Sequence, residues 1–600
     1  MKTNTVIAFT FAASWLIACQ PEQKADIEAT HPVAQEQIVI EGGKNKPGEP
    51  GRQVLVEPKP SSADAANAAG QVHEQARSQV RDKLEATRMT GKMMASPPVM
   101  FVPHPMMVWP SGPVDRENYG HFDSNPVKLV AEHPVSTFSI DVDTGSYANV
   151  RRMLREGRLP PQDAVRIEEM INYFSYDYQM PSGRKQPFRV TAEMAPAPWN
   201  KHKQLLHIGI KGFEMDRSQL PPSNLVFLVD VSGSMRSQNK LPLLKQALIE
   251  LTNQMTYRDR ISLVVYAGAS GVVLQPTPGN DHGRITEALN NLYAGGSTNG
   301  GDGIRLAYRM AESAFIKGGV NRVILATDGD FNVGTTNFEA LVNLVEKKRK
   351  SGISLTALGF GTGNYNDRLM EQIADHGNGN YAYIDTATEA RKVLVDEIGS
   401  TLMTIAKDVK IQIEFNPATV SEYRLIGYEN RMLKREDFNN DKVDAGEIGA
   451  GHTVSALYEV TLAGQKGSID PLRYGNSRRV KGKAGELALL RLRYKQPDSD
   501  TSSLIEYPLH KRMIKKAGHT TDNFRFSAAV AAFGDILRGG TYTGAFGYDG
   551  TLRLAAGARG KDRAGYRQEF MQLVRMADRL DSHHSQGEPI GHGDDGIVID

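Results

Sequence analysis

Cysteine is the scarcest residue of this 600-residue chain. It occurs once, as Cys19, so no disulfide can form within the chain. A surplus of one charge is also absent, because 71 Lys and Arg residues balance 69 Asp and Glu residues. This balance argues against nucleic acid as a partner. After residue 18 there is no long uncharged apolar run, which leaves no candidate for a transmembrane helix and argues against a channel. The length exceeds what one hydrophobic core supports and predicts several domains.

The single cysteine follows an apolar N-terminal run. Residues 6–18 are mostly apolar, too few for a transmembrane helix and typical of a signal peptide. The sequence Leu-Ile-Ala-Cys ending at Cys19 resembles the lipobox of bacterial lipoproteins. The resemblance implies that residues 1–18 are removed and that Cys19 is acylated, which fixes the chain to a membrane. Gln20 in place of Asp implies the periplasmic face of the outer membrane of a Gram-negative bacterium. An ordinary secretory signal with a chance cysteine is the alternative.

Two segments show no persistent apolar period. Residues 19–120 are dominated by Ala, Gln, Glu, Lys, Pro and Ser, and prolines between residues 97 and 113 interrupt any helix. We predict that this segment is a disordered tether. Residues 583–600 are rich in Gly, His and Asp, and we predict a disordered tail there.

The most informative stretch covers residues 224–235, Asn-Leu-Val-Phe-Leu-Val-Asp-Val-Ser-Gly-Ser-Met. Its apolar run does not alternate, which is typical of a parallel strand buried on both faces. The run ends in Asp230, Ser232 and Ser234, whose oxygens are the ligands that small hard cations prefer. Ligands of open α/β sheets bind at this end of the strands. Taken alone, the motif is equally compatible with a strand followed by a Ser-rich helix N-cap.

Two later stretches add oxygen ligands of the same kind. Thr298 precedes an amphipathic segment at 304–315, and Asp328 ends a second buried strand that begins at Val323. The order and chemistry resemble the metal-ion-dependent adhesion site of von Willebrand factor type A (vWA) domains. The resemblance implies Mg²⁺, with Mn²⁺ or Ca²⁺ as alternatives. It places the ion on Asp230, Ser232, Ser234, Thr298 and Asp328.

Strands and helices alternate over residues 223–406, which predicts an α/β fold, a doubly wound and mainly parallel sheet. No G-x-G-x-x-G or P-loop lysine follows the first strand, which argues against a nucleotide site. Residues 407–582 instead contain strands without intervening helices, followed by two closing helices. Together with strands in an α+β region at 121–222, they predict a β-sandwich-like domain into which the vWA domain is inserted.

Two acidic motifs outside the vWA segment suggest other chemistry. Asp143-Thr-Gly-Ser146 is similar to an aspartic-protease motif, but no second copy supplies the partner carboxylate. We predict instead that Asp143 and Ser146 cap the helix that follows. Residues 437–444 are similar to an EF-hand loop, but Lys442 replaces the turn glycine and Ile448 the bidentate glutamate. A polar turn is therefore predicted.

Residues 125–199, the vWA segment and residues 437–459 together resemble the bacterial YfbK-like vWA lipoproteins. The resemblance implies an envelope-anchored, metal-dependent protein-binding module with a scaffold, adhesion or assembly role. It also implies a protein partner that offers an Asp or Glu to the metal. An architectural protein with a vestigial metal site is the alternative. A hydrolase is less favoured, because no pair of base and nucleophile is evident and Ser232 lacks the preceding glycine of a nucleophile elbow.

Overall fold

A computed structural model describes residues 117–183, 186–297, 300–329, 338–363, 365–470, 483 and 485–586. Cys19, nearly all of the predicted tether, Thr298 and residues 587–600 lie outside this part of the chain. None of the helices among the described residues is both long and apolar enough to cross a bilayer.

The strands are numbered in chain order. They are β1 Lys128–Leu129, β2 Val135–Ser139, β3 Phe188–Ala197, β4 Asn200–Gly212, β5 Ser223–Asp230, β6 Arg260–Tyr266, β7 Ser270–Pro278, β8 Val320–Thr327, β9 Ser354–Phe360, β10 Tyr381–Ile384, β11 Thr404–Phe415, β12 Val420–Ile426, β13 Ile448–Gly449, β14 Thr453–Leu462, β15 Glu486–Lys495 and β16 Ser502–His510.

The α-helices are numbered in the same way. They are α1 Gly145–Arg155, α2 Ile167–Asn172, α3 Leu241–Thr252, α4 His282–Asn290, α5 Gly300–Ser313, α6 Phe338–Lys350, α7 Asp367–His376, α8 Ala387–Arg391, α9 Ile398–Leu402, α10 Asp522–Leu537, α11 Gly547–Ala556 and α12 Tyr566–Gln586. A π-helical turn, Lys392–Asp396, joins α8 to α9.

Strands β5 to β10 form one sheet in the order β10-β9-β8-β5-β6-β7. Neighbouring strands are parallel except β6 and β7. Every residue of β5 is buried, because apolar cores cover both faces of the sheet, one around Phe227 and Leu244 and the other around Leu228 and Tyr308. This burial explains the absence of alternation in the β5 sequence. The predicted doubly wound fold is confirmed.

The two remaining sheets are antiparallel and share one core. Their orders are β1-β12-β14-β4-β3 and β13-β11-β15-β16, with β2 also paired to β11. Apolar side chains from both sheets, such as Ile208 and Ile411, belong to the same buried cluster. Strands β2 to β4 precede the β5–β10 sheet in the sequence and β11 to β16 follow it. The doubly wound domain is therefore an insertion in a β-sandwich, as predicted.

Helices from both ends of the described chain form a further apolar core. Helices α1 and α2 pack with α10, α11 and α12. The ring of Phe174 lies 4.9 Å from that of Phe526 and 5.8 Å from that of Phe570 between centroids. Helix α12 continues to Gln586. The prediction that a tail begins at residue 583 is therefore wrong.

A buried ion-pair network joins the sandwich to the inserted α/β domain and to the segment before α1. Arg431, which follows β12, places Nε 3.2 Å from Asp141 Oδ2 and Nη2 3.1 Å from Asp143 Oδ2. Its Nη2 also lies 3.2 Å from Glu371 Oε1, and Nη1 pairs with Asp375. Burial, followed by the charges of neighbouring carboxylates, raises the pKa of Asp143 well above its usual range, and Arg431 opposes the shift. Asp141, Asp143 and Glu371 are close enough to hold a metal ion, but one guanidinium already bonds to all three.

The predicted capping roles of Asp143 and Ser146 are wrong. Helix α1 has Thr144 as its N-cap and no side-chain cap. Asp143 Oδ1 accepts a hydrogen bond from the Tyr381 amide at 2.8 Å. The Ser146 hydroxyl donates to the Ala164 carbonyl at 2.7 Å and accepts from the Arg166 amide at 2.8 Å. Both side chains serve contacts between segments distant in sequence.

Two further segments refine the sequence predictions. The Asn118 amide donates to the Tyr365 carbonyl at 2.9 Å. The folded region therefore includes residue 118, which the sequence assigns to the tether at 19–120. The acidic stretch 437–444 includes the end of a short 3₁₀ helix, Arg435–Asn439. Its Asp441 accepts a hydrogen bond from Ser502, and its Asp444 pairs with Arg349. These carboxylates therefore bond to protein groups.

Candidate metal centre

Asp230 is fixed by the ends of three neighbouring strands. Its Oδ1 accepts a hydrogen bond from the Ser232 amide at 2.8 Å. Its Oδ2 accepts one from the Thr327 hydroxyl at 2.9 Å and a longer one from the Tyr266 hydroxyl at 3.3 Å. Asp230, Thr327 and Tyr266 are fully buried and end β5, β8 and β6, respectively. The orientation of the carboxylate is therefore set by the sheet itself.

The two serine hydroxyls lie directly beyond this carboxylate. Ser232 Oγ and Ser234 Oγ are 2.9 Å apart, and Ser232 is buried while Ser234 is exposed. Backbone hydrogen bonds, from Gly233 N to Gly296 O at 3.0 Å and from Gly295 N to Val231 O at 2.7 Å, join this turn to the loop before α5. The pairing brings together two loops that are about 60 residues apart in the sequence. Thr298, two residues after Gly296, lies outside the described residues.

Asp328 follows β8 and is fully buried. Its Oδ2 lies 2.9 Å from the Nζ of Lys240, a largely buried residue just before α3. Sequence reasoning missed Lys240, Thr327 and Tyr266. Thr327 and Tyr266 could have been found, because each is the last residue of a strand beside β5 and carries a hydroxyl. Nothing in the local sequence indicates the contact made by Lys240.

Electrostatics at this edge favour a cation. Burial raises the pKa of the Asp230 carboxyl, the hydrogen bonds from Ser232 lower it, and the neighbouring charge of Asp328 raises it again. Burial and then the charge of Asp230 raise the pKa of Tyr266 well above its usual range, so this phenol remains a hydrogen-bond donor. The neighbouring carboxylates of Asp230 and Asp328 repel each other, and a positive charge between or beside them offsets this repulsion.

The donor set fits a small hard divalent cation. Carboxylate and hydroxyl oxygens converge at the carboxyl end of a parallel sheet, and the exposed Ser234 leaves a route to solvent. Such oxygens are the ligands that Mg²⁺ prefers, and Mg²⁺ usually retains waters beside its protein ligands. The structure thus brings together Asp230, Ser232 and Ser234 as predicted from the sequence, and it places Asp328 beside them at the end of the adjacent strand.

Comparisons with known proteins agree with this fold. A family model described as the von Willebrand factor type A domain matches residues 224–397, and one described as von Willebrand factor matches residues 113–207. A third, described as the C-terminal part of the uncharacterized protein YfbK, matches residues 400–580. The uncharacterized protein YfbK of Escherichia coli (strain K12) is 49% identical over 468 residues, which cover 77% of this chain and 81% of that protein. The chain belongs to the YfbK family of vWA-domain proteins.

More distant similarities concern smaller parts of other proteins. The inter-alpha-trypsin inhibitor heavy chain H4 of Homo sapiens is 26% identical over 269 residues, 42% of this chain and 29% of that protein. The solved structure of a von Willebrand factor type A protein from Catenulispora acidiphila is 15% identical, with a TM-score of 0.36, and the match covers 66% of this chain and 91% of that one. The predicted membership in a YfbK-like vWA family is confirmed. Acylation of Cys19 stays a prediction.

Proposed function

We propose that this protein is an envelope-anchored binding module that captures a protein partner through a divalent metal ion. The supporting observation is the cluster of Asp230, Ser232 and Ser234 at the carboxyl end of β5. Asp230 is oriented by three hydrogen bonds, and the two hydroxyls are 2.9 Å apart. Oxygens held in this way pay little further ordering cost when an ion binds.

The residues divide into those that would contact the ion and those that orient them. Ser232, Ser234 and Thr298 would ligate Mg²⁺ directly, while Asp230 and Asp328 would hold its waters or enter the coordination shell. Thr327 and Tyr266 keep the Asp230 carboxylate in place. A bound Mg²⁺ supplies a Lewis-acidic position that takes a carboxylate oxygen. The proposed partner therefore presents an Asp or Glu side chain.

Cys19 is the proposed site of the membrane anchor. Acylation there would retain the protein at the periplasmic face of the outer membrane, and the chain between Cys19 and residue 117 would separate the folded part from the lipid. Lipid labelling of the wild type and of Cys19→Ser tests this proposal. Loss of both label and membrane fractionation in the variant is the expected result. An unlabelled wild type that fractionates as the variant does would contradict it.

Partner capture from membrane extracts tests the binding role. The full chain is used as bait in Mg²⁺ and in excess chelator, beside Ser234→Ala and, as a control, Ser351→Ala. Ser351 is an exposed serine in the turn after α6, and its hydroxyl donates to the Lys348 carbonyl at 2.7 Å. We expect the same prey with the wild type and Ser351→Ala in Mg²⁺, and strongly reduced capture with chelator or Ser234→Ala. Equal capture under all conditions would contradict a metal-dependent role.

One observation favours an architectural role with a vestigial site. The ammonium of Lys240 already pairs with Asp328, so one of the two carboxylates has a cation without any metal. Direct metal titration separates the two roles, because an architectural protein of this kind binds no divalent ion at the site. Neither the matched families nor the described residues give positive evidence for catalysis.

A further inference from the structure

Lys240 is built into the candidate metal centre. Lys240 is 6% exposed, and its Nζ lies 2.9 Å from Asp328 Oδ2. The side chain reaches this position beneath Gly361, which has a φ of +77°. A Cβ at Gly361 would lie 1.9 Å from Lys240 Cε and 2.6 Å from Cγ. The lysine is therefore confined along its length and is not a surface side chain that happens to reach a carboxylate.

The backbone around Gly361 is itself held in place. The Tyr383 hydroxyl, at the end region of β10, donates to the Gly361 carbonyl. Tyr383 is 1% exposed, so the hydrogen bond is protected from water. The Lys240 side chain thus packs against Gly361, the residue that follows β9, and Tyr383 of β10 bonds to the carbonyl of that glycine. This construction fixes one positive charge beside the metal ligands.

The fixed charge changes the balance of the site. Asp230, Asp328 and the Lys240 ammonium together leave a net charge of minus one, and a bound divalent ion changes this to plus one. Without the ammonium, the same two carboxylates would neutralise the ion completely. An anionic ligand is attracted to the metal-loaded centre that has the ammonium, and it gains little from a neutral centre that lacks it. The ammonium also repels the incoming metal, so it weakens metal binding while it strengthens binding of the anion.

We propose that Lys240 is a positioning residue that holds Asp328 and, by its fixed charge, keeps the metal-loaded centre positive enough to bind a carboxylate partner. This inference rests on the proposed function, since it requires that the site take a metal ion. It predicts that neutralising the lysine raises the affinity for the metal ion and lowers the affinity of the metal-loaded centre for a carboxylate. If Lys240 merely supported the fold, its substitution would weaken the binding of both the metal ion and the carboxylate, or of neither.

The test measures Mn²⁺ and acetate separately on the full chain. Mn²⁺ affinity is obtained by electron paramagnetic resonance of the free ion, and acetate affinity by the broadening of its methyl resonance by bound Mn²⁺. The variants are Lys240→Met, which preserves the length of the side chain, and Lys240→Gln, which retains a hydrogen-bond donor for Asp328. Lys245→Met is the matched control. It removes a positive charge from α3, the helix that follows Lys240, at a residue whose Nζ donates to the Asn290 carbonyl.

We expect Lys240→Met and Lys240→Gln to bind Mn²⁺ about tenfold more tightly than the wild type, and their Mn²⁺ forms to bind acetate about tenfold more weakly. Lys245→Met should match the wild type for both ligands. If Lys240→Met does not fold, Lys240→Gln decides. Mn²⁺ binding by the wild type together with unchanged or weaker Mn²⁺ binding by the variants would overturn the role of Lys240 and leave the metal centre standing. Absence of Mn²⁺ binding by the wild type would overturn both.

Discussion

Removal of the Arg431 guanidinium is expected to destabilise the junction between the sandwich and the vWA domain. In Arg431→Met, the carboxylates of Asp141, Asp143 and Glu371 lose a shared counter-charge while they remain buried. Loss of one partner from a buried ion pair costs about 3–5 kcal/mol. Because the Arg431 side chain is 12% exposed, we expect the lower end of that range, about 3 kcal/mol.

Equilibrium urea unfolding at pH 7, followed by circular dichroism, measures this cost. The matched control is Arg305→Met, which removes an arginine that is 47% exposed and lies 3.7 Å from Asp302. We expect that control to change the free energy of unfolding by less than about 0.5 kcal/mol. Asp143→Asn in the Arg431→Met background should recover part of the loss, because it removes one of the buried charges left without a counter-charge.

The pH dependence gives a second check on the same variant. Arg431 lowers the pKa of Asp143 and of Asp375, so its removal raises both pKa values further in the folded protein. A carboxyl whose folded pKa is raised stabilises the fold at low pH and loses that contribution as the pH rises. The difference in stability between wild type and variant should therefore shrink as the pH falls. A variant as stable as the wild type at pH 7, or a difference that grows on acidification, would refute this reasoning.

Two further predictions concern single buried positions. Burial raises the pKa of Glu168 to about 8 from its ordinary value of 4.5, so stability is lost as the pH rises between these values. In urea titrations, the free energy of unfolding of Glu168→Gln should exceed that of the wild type by on the order of 3 kcal/mol at pH 7 and equal it at pH 4. A larger advantage at pH 4 than at pH 7 would contradict this. Gly361→Ala should lower the melting temperature more than Gly363→Ala, since both glycines have positive φ but only the first contacts Lys240. Equal losses would argue against confinement of the lysine.

The elements with a strong local pattern could be predicted from the sequence. The unbroken apolar run of β5 predicted a strand buried on both faces, and all its residues are buried. Asp230, Ser232 and Ser234 could be assigned because the ends of parallel strands meet at one edge, whichever helices connect them. Strand β16 was not predicted. Its sequence includes Pro508 and its burial is irregular, as expected for an edge strand that pairs on one side only.

The contacts that cross between segments could not be predicted. Lys240 is separated from Asp328 by 88 residues, and only the packing beneath Gly361 directs its ammonium to that carboxylate. Asp143 and Ser146 were assigned as helix caps because both residue types are common caps. Their actual partners, Tyr381 and Ala164, belong to other segments. The local preferences of residue types do not indicate which partners tertiary packing will bring to them.

Calorimetric titration of the full chain with Mg²⁺ and Mn²⁺ tests the central claim most directly. Asp230→Asn is the test variant, because it keeps the size of this fully buried side chain and its amide oxygen can still accept from Thr327 and Tyr266. We expect the wild type to bind one divalent ion, Asp230→Asn to lose that binding while its circular dichroism is unchanged, and Ser351→Ala to match the wild type. An Asp230→Asn protein that binds the ion with wild-type affinity, or a wild type that binds none, would contradict the proposed metal centre.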